Sequence, residues 1–132
     1  MTQQLAAVTF LVREYDEAIA WFVGALGFVL VEDTDMDDGK RWVLVSPRGE
    51  NNVRLLLAKA VGQMQTDNIG KAAGGRVEFF LNTENFAQDH ARMMAAGVKF
   101  REPPRHEAYG TVAVFEDLYE NLWDLIEPTK KP

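Results

Sequence analysis

The chain contains no cysteine, which excludes disulfides, thiol nucleophiles and thiolate metal sites and agrees with a reducing compartment. It also lacks a long apolar run. Stretches such as Val53–Ala58, interrupted by Arg54, fall far short of the roughly 20 residues that span a bilayer. The opening residues MTQQLAAV have no basic start, extended apolar segment or small-residue cleavage site of a secretory signal, so a cytoplasmic location and no membrane association are expected. Positive charge is in short supply: 14 basic residues against 20 acidic give a formal charge of −6. That balance repels a phosphate backbone, so no nucleic-acid partner is expected. The acids gather in Glu32–Asp38 and near Glu116–Glu120, which read as solvated loops.

What is present is enough apolar material for one core: 47% of 132 residues. Residues 110–127, GTVAVFEDLYENLWDLIE, contain two strand-like runs joined by a polar turn. Alternation along a strand puts Leu122, Asp124 and Ile126 on one side and Trp123 and Leu125 on the other. Asp124 must then face water, a partner or a cavity.

The same organisation occurs twice. LAAVTFLV (5–12) reads as a strand, and REYDEAIAWFVGALGF follows with Ala18, Ile19, Phe22, Val23 and Leu26 at helical spacing until Gly27. FVLVED, WVLVS (42–46) and VRLLLA (53–58) supply three strands, the last two joined by the turn-forming PRGENN. AVGQMQTDNIGKAAGG reads as a linker. RVEFFLNT (76–83) then reads as a strand, and ENFAQDHARMMAAGV as a helix with Phe86, His90, Met93 and Met94 near one stripe, closed by Gly97. VKF, GTVAVFED and NLWDLIE complete the second copy.

Aligning Gly27 with Gly97 brings the copies into register, a duplicated βαβββ module of about 55 to 60 residues. The expected organisation is a single domain, 1–132, with module 1 at about 5–60, a linker at about 61–74 and module 2 at about 75–128. Modules this small bury too little surface to stand alone. They are expected to pack as an α+β fold whose curved mixed sheets enclose a shared groove, with Asp124 pointing into it.

Two segments carry a resemblance. VTFLVREYDEAIAWFVGALGF resembles the opening strand and helix of the vicinal oxygen chelate superfamily, the glyoxalase/bleomycin resistance protein/dioxygenase family. GTVAVFEDLYENLWDLIEP is similar to its closing hairpin, in which an Asp-Pro-x-Gly-Asn turn precedes a strand bearing an acid. Here the turn is DLYEN, with Leu118 and Glu120 in place of the proline and glycine. Glu120 is unfavourable if that position needs a positive φ.

Metal-using members of the family draw four ligands from the first and fourth strands of each module. By that resemblance the positions fall on Ala7, within Arg54–Leu56, on Glu78 and on Asp124. Ala7 offers no lone pair, and Arg54–Leu56 contains no acid. The implied reading is that no metal cofactor is held; a divalent ion is the alternative, as a weakly bound hydrated magnesium.

Glu78 and Asp124 are the catalytic candidates. Two carboxylates facing each other would raise the proton affinity of one, and such a pair can shuttle a proton or grip an amine. Alternatively, Arg54 or Arg41 neutralises them in a buried ion-pair network. Trp42, Arg54, His106 and Tyr109 are the ligand-binding candidates, with Trp42 and Tyr109 as flat walls and His106, on the PPRHEAYG loop, at the rim. His90 reads as a packed imidazole, and Trp21 and Trp123 read as packing residues.

Three functions stay open. The first is metal-free binding of a small, partly aromatic or cationic molecule, as in the bleomycin-resistance branch. The alternative is a metal-dependent lyase, isomerase or dioxygenase, and the third is an interaction subunit. The resemblance further implies a homodimer.

Overall fold

The structure is a computed structural model that describes residues 2–130. Contacts divide the chain into two compact units, 1–69 and 70–132. In the first, strand β1 (Ala7–Val12) leads into helix α1 (Tyr15–Gly24), followed by β2 (Val29–Asp35), β3 (Arg41–Ser46) and β4 (Arg54–Lys59). The sheet order is β1-β4-β3-β2, with β1 and β4 parallel and the other pairs antiparallel. The second unit repeats this: β5 (Val77–Asn82), α3 (Phe86–Ala95), β6 (Lys99–Phe100), β8 (Gly110–Glu116) and β9 (Leu122–Pro128) form the order β5-β9-β8-β6. The fold is thus α+β with a duplicated βαβββ pattern and two mixed sheets.

Two segments differ from expectation. The linker stretch contains a helix, α2 (Gly62–Asn68), held by local bonds such as Thr66 Oγ1 to the Gly62 carbonyl. It buries none of its residues, which is why apolar periodicity gave no sign of it. The loop carrying His106 contains a three-residue strand, β7 (Arg105–Glu107), paired with β8. A third correction concerns α3: Met93 is 1% exposed but Met94 is 55% exposed, because one helical step of about 100° rotates it off the buried stripe.

In the first unit, Phe10, Val12, Val43, Val45, Leu55 and Leu57 line one sheet face, and the Phe22 ring of α1 meets Phe10 edge-on. In the second unit the helix-facing side is an aromatic row. Phe100, Phe115 and Trp123 are direct cross-strand partners, and Phe79 faces Trp123 from β5. Ring centroids are 5.5 Å apart for Phe100–Phe115, 5.7 Å for Phe115–Trp123 and 4.4 Å for Phe79–Trp123. Such contacts add roughly 0.5–1.5 kcal/mol each beyond the area buried.

From α3, His90 stacks between Phe86 and Phe100, as a packed imidazole. The helix start is fixed twice. Asn85 Oδ1 accepts the Gln88 N–H, and Glu127 of β9 accepts the Phe86 N–H at 2.7 Å.

The β8–β9 turn is organised around the buried Asp117. Its Oδ1 accepts the Tyr119 and Asn121 N–H groups, and its Oδ2 accepts Asn121 Nδ2 and the indole N–H of Trp123 at 2.9 Å. Burial pushes the Asp117 carboxyl up in proton affinity, and these four donors pull it back. Glu120 sits at φ 69°, the left-handed conformation in which a glycine is unstrained. Glu120→Gly is therefore expected to raise unfolding stability by about 0.5–1 kcal/mol, the relief of strain exceeding the added unfolded-state entropy. Urea denaturation measures this, and an unchanged or lower midpoint would show that the turn holds Glu120 without strain.

Candidate functional site

Because Phe79, Phe115, Trp123 and Leu125 face α3, the intervening residues take the other side of the second sheet. There Phe80 and Val114 are the cross-strand neighbours of Asp124, and Arg105 lies one row along, opposite Val112. Phe80 is 66% exposed, a large apolar ring with little cover. Asp124 is half-buried, and its Oδ1 is a buried oxygen with no hydrogen-bond partner among the described residues. Burial pushes its carboxyl up in proton affinity; Arg105 opposes this and Glu102 reinforces it.

Arg105 is already engaged. Its Nε donates to both carboxylate oxygens of Glu102, at 2.9 and 3.0 Å, and its Nη1 donates to Glu107 at 3.2 Å. Glu102 also accepts the Val114 N–H, which anchors it beside the Asp124 row. One guanidinium among three carboxylates leaves this face with excess negative charge, which favours a cationic guest. Glu102, Arg105 and Phe80 were absent from the sequence-based site. Adjacent Phe79 and Phe80 did carry a signal, since neighbouring strand residues face opposite ways and one of the two rings has to leave the core.

Glu78 does not share the Asp124 environment. The β5–β9 register jumps from Val77 opposite Leu122 to Phe79 opposite Trp123, so Glu78 is the extra residue of a bulge. Its proton affinity is raised first by burial and then by the charge of Asp117, whereas the charged neighbours of Asp124 are Arg105 and Glu102. The expected face-to-face carboxylate pair is replaced by two acids with separate neighbours.

His106 is opposite Thr111, with Nδ1 3.2 Å from its hydroxyl. Thr111 is in turn opposite Glu127, the residue that caps α3, so His106 belongs to the helix side of the sheet and not to the Asp124 side. Tyr109 is 55% exposed.

In the first unit, Trp42 and Arg54 lie on the side of their sheet away from α1, on β3 and β4, and both are exposed. Arg41 has other partners than those considered for it. It grips Asp33 with two nitrogens, at 3.1 and 2.7 Å, and Asp16 of α1 at 2.9 Å, with its guanidinium over the Tyr15 ring. The Asp33 carboxyl is held below its ordinary value by that bond.

Among the described residues, no group of three or more His, Cys, Asp or Glu side chains is placed to hold a metal ion. On β1 and β4, the side away from α1 carries Ala7, Thr9 and Leu11 beside Arg54, Leu56 and Ala58.

The comparisons agree with this architecture. Residues 4–125 match the family profile described as Glyoxalase/Bleomycin resistance protein/Dioxygenase superfamily, and the chain belongs to that superfamily. An uncharacterized protein of Shewanella frigidimarina (strain NCIMB 400) is 52% identical over 132 residues, covering 99% of this chain and 98% of the relative. The crystal structure of UcmS2 superposes with a TM-score of 0.81 at 30% identity, covering 96% of this chain and 99% of that one. TnmS3, an antibiotic binding protein from Streptomyces sp. CB03234, gives a TM-score of 0.77 at 25% identity and covers 98% of both chains.

The Asp124 geometry has a consequence for stability. A carboxyl whose proton affinity is higher folded than unfolded makes the native state bind more protons. Stability is therefore lost as pH rises from the unfolded value through the raised folded one. Asp124→Asn removes that loss. The variant is expected to be at least as stable as the parent near pH 7, with the advantage shrinking toward about pH 4 in urea denaturation. A variant less stable at every pH would show that the carboxylate has a structural partner.

Proposed function

We propose that this protein binds a small, partly aromatic cationic molecule on the Asp124 face of its second sheet, without a metal ion. The observation that carries the reading is the buried Oδ1 of Asp124, which has no partner among the described residues, beside the exposed Phe80 ring. A ligand ammonium supplies the missing donor, and its aromatic part covers Phe80. Both interactions gain from leaving water together. Excess negative charge from Glu102 and Glu107 adds attraction for a cation. TnmS3, which shares the fold over 98% of both chains, is an antibiotic binding protein, and that supports small-molecule binding as the activity.

The donor chemistry does not fit a chelated divalent ion. The side chains where the resemblance places ligands include Ala7, Arg54 and Leu56, none of which donates a lone pair to a metal at neutral pH. Tyr109, exposed between β7 and β8, is proposed as a further wall of the same site. Glu78, His106 and Trp42 are left outside this binding face. A cytoplasmic homodimer accompanies the proposal, as the resemblance implies.

Calorimetric titration of the full chain with a panel of cationic aromatic antibiotics, bleomycin among them, tests the reading. Saturable binding is expected, weakened at least about tenfold by Asp124→Asn, since a charge-assisted hydrogen bond is worth about 1.5–3 kcal/mol, and weakened also by Phe80→Ala, which removes the apolar surface the ligand ring covers. Titration with nickel, zinc and manganese is expected to give no stoichiometric uptake. No binding across the panel, or tight uptake of one metal equivalent, would reverse the proposal in favour of a metal-dependent lyase, isomerase or dioxygenase.

A further inference from the structure

The first unit contains a cavity of about 350 Å³ at one end of its sheet. Its wall is built from the end of β3 (Ser46), the β3–β4 turn (Gly49, Asn51, Asn52), the start of β4 (Arg54) and the segment before β1 (Gln4, Ala6). The Arg54 N–H donates to the Ala6 carbonyl at 3.1 Å, which closes the leading segment against the strand. The turn is held by its own donors. Ser46 Oγ donates to the Pro47 carbonyl at 3.0 Å, and Asn52 Nδ2 donates to the Pro47 and Arg48 carbonyls at 3.3 Å. Asn51 and Gly49 take positive φ, of 62° and 113°, which fold the turn over the cavity. At Gly49 a Cβ would meet Asn52 Nδ2 at 3.5 Å, ordinary contact, so the requirement there is conformational and not one of space.

The chemistry of the lining is one-sided. Among the described residues no carboxylate contributes to it, although the chain as a whole carries a formal charge of −6. Glu50 lies in the turn but outside the lining. Among the described residues Arg54 is the only formally charged one in the lining, and it forms no ion pair with them. The two carbonyls nearest the turn are already satisfied by Ser46 and Asn52. What remains for a guest is the five-donor guanidinium with the amides of Asn51 and Gln4. The volume lies at the lower end of the roughly 300–1,000 Å³ typical of small-molecule sites, and the predominantly polar wall suits a polar guest.

We propose that this cavity binds the oxyanion group, carboxylate or phosphate, of a compact polar molecule. Arg54 supplies the charge, and Asn51 and Gln4 orient the bound oxygens. The site is opposite in charge preference to the Asp124 face and does not depend on the reading given for that face. A planar guanidinium binds such a group through two parallel hydrogen bonds, a geometry that a lysine ammonium does not reproduce.

The test is an amide-resolved NMR titration of the full isotope-labelled chain, first with inorganic phosphate and then with citrate, at ionic strength held constant with chloride. Saturable shifts are expected at Gly49, Asn51, Asn52 and Arg54. Arg54→Gln is expected to weaken binding at least about tenfold, and Arg54→Lys less than that. Arg54 is exposed, so both variants keep their fold, and spectral dispersion in the same experiment verifies it. Tighter binding of citrate points to a carboxylate guest, and tighter binding of phosphate to a phosphorylated one; either supports the site. Absence of saturable shifts at these amides up to about 50 mM of both anions, where a weak millimolar site would fill, overturns the proposal. Equal affinity in the parent and in Arg54→Gln overturns it too.

Discussion

The functional reading depends on the aromatic row that crosses the second sheet. Phe100, Phe115, Trp123 and Phe79 stand opposite one another on four strands and pack on the α3 side. A strand has a side-chain period of two, so a one-residue slip in β9 would carry Trp123 out of the core and drive Asp124 under the helix. The loss of aromatic burial and the cost of an unpaired carboxylate in that core both oppose it. The indole N–H of Trp123 bonded to Asp117 adds a directional lock at the turn where β9 begins. Register, turn and core therefore enforce one outcome: Asp124 on the side of the sheet away from the helix.

That outcome separates two kinds of acid. Asp117 is buried but surrounded by four donors, so its charge is compensated and its role is to build the turn. Asp124 is less buried yet has an oxygen with no donor among the described residues. Buried polar atoms without partners are rare in folded proteins because each costs about 1–3 kcal/mol. The proposed ligand ammonium would supply the donor that Asp124 Oδ1 lacks among the described residues, beside the exposed Phe80 ring.

Much of the fold was legible in the sequence because its signals are local. Gly27 and Gly97 follow the two helices within one residue of the same offset, PRGENN marks a hairpin, and the alternation in NLWDLIE fixes the side on which Asp124 lies. Other features required knowledge of pairing. The bulge at Glu78 arises from how β5 meets β9, strands more than 40 residues apart, and no pattern within RVEFFLNT specifies it. The cluster of Glu102 and Arg105 lies in a segment with two prolines that reads as plain loop, and only pairing with β8 reveals β7 and sends His106 to the helix side. Helix α2 escaped because it presents no buried stripe. The partners of Arg41 also depend on pairing: it is held by Asp33, an acid of the Glu32–Asp38 run that reads as a solvated loop, and by Asp16 of α1.

The most direct measurement is a carbon-detected NMR titration of the aspartate carboxyls in the ligand-free protein. An unpartnered, partly desolvated Asp124 should titrate above the ordinary aspartate value, and a saturating cationic aromatic ligand should move its midpoint back down. A midpoint at or below the ordinary value in the free protein would mean that the carboxylate already has a donor, and the proposed binding face would lose its central group.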